Sequence, residues 1–247
     1  MGSVRLDKYL AQSGEYSRKE AARLLRAGLV QVNGIPTRDP ACKVDPETQA
    51  ITLGGQPVEN QAFQYYMLHK PAGVLTAARD SRAQTVMELV PPAFSRRQVL
   101  PVGRLDKDTT GLLLLTNDGE LAHRLLAPGR HVLKEYHVQV EGLLQEADVH
   151  AFAQGMSLSD FTAKPAQMRI LSASPVTSEA AVWLAEGKFH QVKRMFAACG
   201  CAVTRLHRDA FGPLRLDVPL GEHRPLTAAE INALRQATGC EPASFPE

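Results

Sequence analysis

Apolar and polar positions alternate most regularly from Lys134 to Glu141, where Tyr136, Val138 and Val140 fall on one face of an expected strand. Leu112 to Leu115 is a continuous apolar run, read as a strand buried on both faces. Tyr65–His69, Ala166–Ile170 and Ala180–Leu184 are further expected strands. Helical spacing relates Val192, Met195, Phe196 and Cys199, with Gly200 as the stop. Near the start, Arg5–Leu10 reads as a short helix, broken at Ser13-Gly14. Ser17-Arg18-Lys19-Glu20 is a capping box that opens a second helix, with Ala21, Leu24 and Leu25 as its apolar stripe and Gly28 as its end. Leu29–Val32 is a strand, Asn33-Gly34 a hairpin turn, and Ile51-Thr52-Leu53 the last strand of that region before a linker from Pro57 to Gln64. Thr85 caps a short helix through Val90 that Pro91-Pro92 stops, leaving Arg96 and Arg97 in a loop. Asp118–Leu126, Gln145–Gly155 and a segment capped by Thr227 and Glu230 are the other expected helices, and the tail from Gly239 is expected to fray.

The stretch that carries candidate chemistry is Gly103 to Gly119, G-R-L-D-K-D-T-T-G-L-L-L-L-T-N-D-G. Its charged loop, Asp106 to Gly111, is tied directly to the apolar strand, which gives a carboxylate the rigid support that catalysis needs. Local pattern leaves a solvated surface turn open. It also leaves open a phosphatase nucleophile, because Asp106-Lys107-Asp108-Thr109-Thr110 fits D-x-D-x-T. That motif normally follows a long hydrophobic strand, whereas here Pro101, Gly103 and Arg104 precede it and the apolar run follows.

With 247 residues and a net charge of only +2, total charge does not announce a polyanion partner; its distribution is more informative. Between Arg5 and Gly34 six basic residues face three acidic ones, and the second helix carries Arg18, Lys19, Arg23 and Arg26 away from its apolar stripe. That is either a solvated face or a set of phosphate contacts. From Gly187 to Arg208 there are five Lys or Arg residues and no Asp or Glu, a plausible phosphate track. Cys42, Cys199, Cys201 and Cys240 are scattered, and buried free thiols are expected. Met1-Gly2 does not open a myristoylation pattern, and no secretory or membrane-spanning run is seen, so a soluble cytoplasmic protein is expected.

R-L-D-K-Y-L followed by S-R-K-E-A-A-R-L-L-R-A-G-L-V-Q-V-N-G resembles the S4-like RNA-binding domain. H-K-P-A-G-V-L-T, the G-R-L-D stretch, K-x-Y-x-V at Lys134–Val138, G-K-F-H-Q-V-K-R-M at Gly187–Met195 and the closing Leu206–Leu214 segment resemble the bacterial rRNA pseudouridine synthases, in the branch acting on small-subunit rRNA. The resemblance implies an α+β fold: a small N-terminal S4-like domain over residues 1–60, a catalytic domain with a mixed, mostly antiparallel sheet flanked by helices over 61–240, and a tail over 241–247. It implies conversion of a uridine in folded RNA to pseudouridine, with no cofactor and no metal. Asp106 is the implied catalytic carboxylate, by covalent attack or by accepting a proton from the sugar. Lys193 is its implied cationic partner, Tyr136 the surface that stacks on the flipped base, and Asp108 structural. Arg104, Arg18, Lys19, Arg23, Arg26, Lys188 and Arg194 are the expected RNA contacts. The expected partner is ribosomal RNA or an assembling small subunit, met by a monomer away from any membrane. A large-subunit rRNA synthase, a non-catalytic RNA-binding or ribosome-assembly protein, and the phosphatase are the competing readings.

Overall fold

The computed structural model describes residues 3–13, 16–46, 48–58 and 63–243. By packing, the chain divides into two compact units, Met1–Gln64 with Val90–Leu100, and Tyr65–Leu89 with Pro101–Glu247. Gly14, the middle of the expected linker and the end of the tail lie outside the described residues, as does Met1-Gly2.

In the first unit, helices α1 (Leu6–Gln12) and α2 (Arg18–Arg26) pack Leu6, Leu10, Ala21 and Leu25 against Val30, Val44 and Ile51. Ser17 and Glu20 close the capping box at the start of α2. Strands β1 (Val30–Val32), β2 (Ile35–Pro36), β3 (Ile51–Leu53) and β4 (Gln56–Pro57) form an antiparallel sheet in the order β2-β1-β3-β4. Asn33 and Gly34 both have positive φ, 51° and 78°, which turns the β1–β2 hairpin. Two expectations need correction. Ile51–Leu53 is not the last strand, because a two-residue strand too short to show a period pairs beside it at Gln56–Pro57. Pro91-Pro92 does not leave a loop behind it: Pro92 is the first residue of a helix through Arg96, where its missing N–H is no loss.

The second unit is a mixed sheet. The main path of the sheet runs through β5 (Tyr65–Lys70), β6 (Thr110–Thr116), β7 (Lys134–Glu141), β8 (Gln167–Ala173), β9 (Thr177–Leu184), β10 (Ala202–Phe211) and β11 (His223–Pro225), in the spatial order β8-β9-β7-β10-β6-β5-β11, with the short strand Leu214–Arg215 pairing beside β10. Every neighbouring pair along that path is antiparallel except β10 with β6. Helices α3 (Gly119–Leu126), α4 (Glu146–Gln154), α5 (Gln191–Ala198) and α6 (Ala228–Ala237) accompany it. Thr85 caps only a 3-10 turn, Val86–Glu88. Leu112 to Leu115 is fully buried on both faces, as its unbroken apolar run requires. Leu112 and Leu114 pack with Tyr65, Met67, Leu121, Leu125, Phe211 and Leu234. Asp118 accepts from the Leu121 N–H as the N-cap of α3, and from the Tyr65 hydroxyl at 2.8 Å. The described end of the tail is tied down, with the Ala243 N–H on Asn232 and the Cys240 N–H on the Arg235 carbonyl.

The parallel step between β6 and β10 lies next to the candidate loop. Gly111 pairs with Arg208 there, at φ 115°, and a Cβ on Gly111 would stand 2.3 Å from the Arg208 carbonyl oxygen. Only glycine permits that approach. Gly111→Ala is expected to destabilise the protein by at least about 2 kcal/mol, read as a lowered urea midpoint. An unchanged midpoint would show that the two strands separate at no cost.

Candidate active site

The loop from Asp106 to Thr109 is built around a buried cation. Lys70 ends β5 with no exposed surface. Its Nζ donates to the carbonyls of Pro71 at 3.0 Å, Asp106 at 3.0 Å, Lys107 at 3.2 Å and Thr109 at 2.9 Å. Burial pushes this ammonium down to about 8, opposed by the carboxylates of Asp108 and Asp106. Four carbonyl dipoles converge on it and supply the acceptors that a desolvated ammonium needs. Other contacts brace the loop. The Gly73 N–H donates to the Lys107 carbonyl, and the Thr76 hydroxyl donates to the Leu105 carbonyl while accepting from its N–H.

Asp106 is thus fixed through its backbone while its carboxylate stays 24% exposed. Lys193 Nζ, from α5, lies 3.5 Å from Asp106 Oδ2, and His190 Nε2 lies 3.6 Å from Asp106 Oδ1. The short contacts of Lys193 go elsewhere, to the two oxygens of Asp108 at 2.6 and 2.7 Å. That hydrogen bond holds the Asp108 carboxyl below its usual range. Lys193 therefore bridges both carboxylates. Asp108, expected to be merely structural, is its principal partner.

Asp106, Thr109, Tyr136, Leu184, Gln191 and Leu206 line one small cavity of about 60 Å³. A groove of about 550 Å³ shares Arg104, Asp106, Tyr136 and His190 with it and adds Thr76, Lys134, Phe189, Arg208 and Phe211. Tyr136 is only 8% exposed and lies on the same face of β7 as Val138 and Val140. It is a core aromatic by packing and a pocket wall by position. The β7–β10 register shifts between Glu135 and Tyr136, so Tyr136 stands opposite Arg208. Bulges of this kind re-aim side chains beside functional sites.

Asp106, Lys193, Tyr136, Arg104 and Lys188 are thus brought to one place. Arg194 lies on the same helix, but its guanidinium is held by Asp160 and Ser159 over the Phe161 ring, which leaves it less free for RNA than expected. Arg18, Lys19, Arg23 and Arg26 are exposed on α2 in the other unit, with Arg18 3.3 Å from Asp7. Lys70, Lys134 and His190 do not stand out as site residues in the sequence, and Arg208, counted in the expected phosphate track, is buried with its Nε on the Leu112 carbonyl. Strand parity could have found Lys134, which shares its phase with Tyr136, and its ammonium is pushed down to about 8 by burial and then by Arg208. Of the thiols expected to be buried, Cys201 is; Cys199 is half-buried, its thiol pushed up to about 12 by desolvation.

Residues 64–198 match the family described as RNA pseudouridylate synthase, and residues 4–50 match the S4 domain. The chain is 44% identical to an uncharacterized RNA pseudouridine synthase of Bacillus subtilis, YtzG, over 94% of this chain and 99% of that protein. It is 38% identical to the ribosomal small subunit pseudouridine synthase A of Escherichia coli K12, over 92% of this chain and 98% of that one. Among solved structures, a pseudouridylate synthase aligns with a TM-score of 0.65 at 34% identity, covering 94% of this chain and 100% of the other.

Lys70→Met leaves several loop carbonyls without a donor, so stability should fall by on the order of 3 kcal/mol in urea unfolding, and turnover should fall more than RNA affinity. Equal stability and turnover in Lys70→Met would show that the loop holds its shape unaided. Lys193→Met should return the Asp108 carboxyl towards the ordinary range in an NMR titration and lower turnover at least about tenfold. The second figure corresponds to about 1.4 kcal/mol of lost transition-state stabilisation. Asp108→Asn should cost less turnover than Lys193→Met, and the reverse ranking would make Asp108 the more important partner.

Proposed function

The chain belongs to the RNA pseudouridylate synthase family, and we propose that it isomerises one specific uridine of small-subunit ribosomal RNA to pseudouridine, with Asp106 as the catalytic carboxylate. The observation that carries this reading is the meeting of Asp106 and Tyr136 in one cavity, the first held by its backbone on Lys70 and the second by the core face of β7. The reaction breaks the bond from uracil N1 to the ribose C1′, turns the base, and joins C5 to C1′; C5 loses a proton and N1 gains one. Redox state and composition are unchanged, so the chemistry asks for a placed carboxylate, a stacking surface and exclusion of water. A uridine flipped out of its helix brings its base to Tyr136 and its sugar to Asp106. Lys193 keeps positive charge near the carboxylate as the pocket loses water, and the His190 ring stands on its other oxygen.

Arg104 and Lys188, exposed at the rim, are placed to meet RNA phosphates. The exposed cationic face of α2 holds the RNA without taking part in chemistry. The protein works as a monomer in the cytoplasm on the RNA of an assembling small subunit. Among the described residues no helix is long and apolar enough to cross a membrane.

Mapping pseudouridine in ribosomal RNA from cells with and without the protein tests the reading directly. One small-subunit site should disappear with the protein; loss of a large-subunit site instead would move the substrate, and loss of none would remove the activity. Asp106→Asn should abolish isomerisation in the purified protein while RNA affinity changes little. Near-parental turnover in that variant would exclude Asp106 as the carboxylate. Replacing Lys19, Arg23 and Arg26 together with Ala should weaken RNA binding and make the salt dependence of log K shallower by about 2, from roughly 0.7–0.9 per phosphate contact. The rate at saturating RNA should stay near parental. An unchanged salt slope would show that α2 does not touch phosphate.

A further inference from the structure

Phe189 is out of keeping with its neighbours. It is 69% exposed, an apolar ring in a stretch that otherwise carries five cationic residues and no acidic one. One of its faces is covered: its ring lies 3.8 Å from that of His190, with the planes 18° apart. His190 is itself held at φ 51°, a left-handed conformation uncommon for a residue other than glycine, where the chain enters α5. The other edge of this stack is the site, because His190 Nε2 lies 3.6 Å from Asp106 Oδ1. Phe189 lines the larger groove, which it shares with Tyr136 and Asp106, and is absent from the lining of the small cavity where Tyr136 meets Gln191 and Leu206.

A flat ring with one face stacked and the other open, at the mouth of a groove that takes RNA, has the form of a base-stacking surface. Flipping a uridine removes the stacking partner of each flanking base, and an aromatic ring can replace it. We infer that the Phe189–His190 pair is the platform on which a nucleobase flanking the target uridine stacks, an inference that rests on the isomerase reading above. The bound base then forms the outer layer of a column that runs through Phe189 and His190 to the Asp106 carboxylate. Phe189 is a positioning residue in this arrangement. It sets the height of the RNA strand over the cavity and takes no part in bond changes.

The test uses the full chain and a small-subunit RNA fragment containing the mapped uridine, with 2-aminopurine placed immediately 5′ of it in one RNA and 3′ in another. On binding the parent protein, fluorescence should be quenched at one of the two positions. Phe189→Tyr should keep the quench. Phe189→Leu, which keeps an apolar side chain of similar reach, should lose it and bind RNA about tenfold more weakly, the size expected of one lost base stack. Melting curves should be unchanged in both variants because the ring is exposed. Equal quenching and equal affinity in Phe189→Leu, or no quench at either position with the parent, would overturn the platform. Conversion of the uridine by the parent is read in the same mixtures. A failure of the isomerase reading therefore appears as unchanged uridine, separately from the quench that reports on Phe189.

Discussion

A single buried ammonium organises the site. Lysine is almost never fully buried without a partner, and among the described residues no carboxylate pairs with the Nζ of Lys70, which is fully buried. Its partners are four backbone carbonyls, three of them from the loop between Asp106 and Thr109. A carbonyl belongs to the backbone, so an interaction with it fixes φ and ψ and leaves the side chain of the same residue free. That is how the loop holds Asp106 in place without occupying its carboxylate. The desolvation that pushes the ammonium down also lowers the local dielectric in which its bonds to the carbonyls act, so the penalty and the grip have one origin.

The same logic extends outward from the loop. Lys70 closes the end of β5, and Gly111 begins the run of β6 that pairs with it in register from Lys70–Gly111 to Tyr65–Thr116. On its other side Gly111 meets the backbone of Arg208, whose Nε donates to the Leu112 carbonyl. Thr110 and His207 add a side-chain bond at 2.7 Å across the same parallel step. The Asp106 loop is therefore tied to β5 through Lys70 and runs directly into β6, two strands held in register with each other. The bulge that sets Tyr136 against Arg208 refers this pocket wall to the same strand, β10.

Much of this was legible in the sequence. The unbroken Leu112–Leu115 run, the alternation around Tyr136 and the capping boxes at Ser17 and Thr227 report short-range periodicities, and those survive folding because each is set by its own segment. Lys70 was not legible in the same way. Its role consists of carbonyls up to 39 positions away, and backbone acceptors leave no residue-type signature. The β6–β10 pairing is likewise a long-range fact that a lone glycine only hints at. The helix from Pro92 was missed because proline was read as a stop, although at the first helical position it is a start. The partner of Lys193 depended on a choice between two aspartates two residues apart, which only side-chain geometry could make.

That choice has a chemical consequence. Had Lys193 formed its short bonds with Asp106, the lone pairs of that carboxylate would be engaged, and the proposed action of Asp106 on the sugar would first require breaking a charge-assisted bond. Instead Lys193 spends its short contacts on Asp108, whose side chain is largely in water, and stands 3.5 Å from Asp106. His190 stands off at a similar distance on the other oxygen. At 3.5 Å the Lys193 ammonium still attracts the carboxylate, since Coulomb energy falls only as the inverse of distance. Directional hydrogen bonding falls much faster and is largely lost beyond about 3.5 Å. Asp106 thus keeps a favourable field without a saturated coordination shell. Asp108, by holding Lys193 at that distance, makes the two compatible.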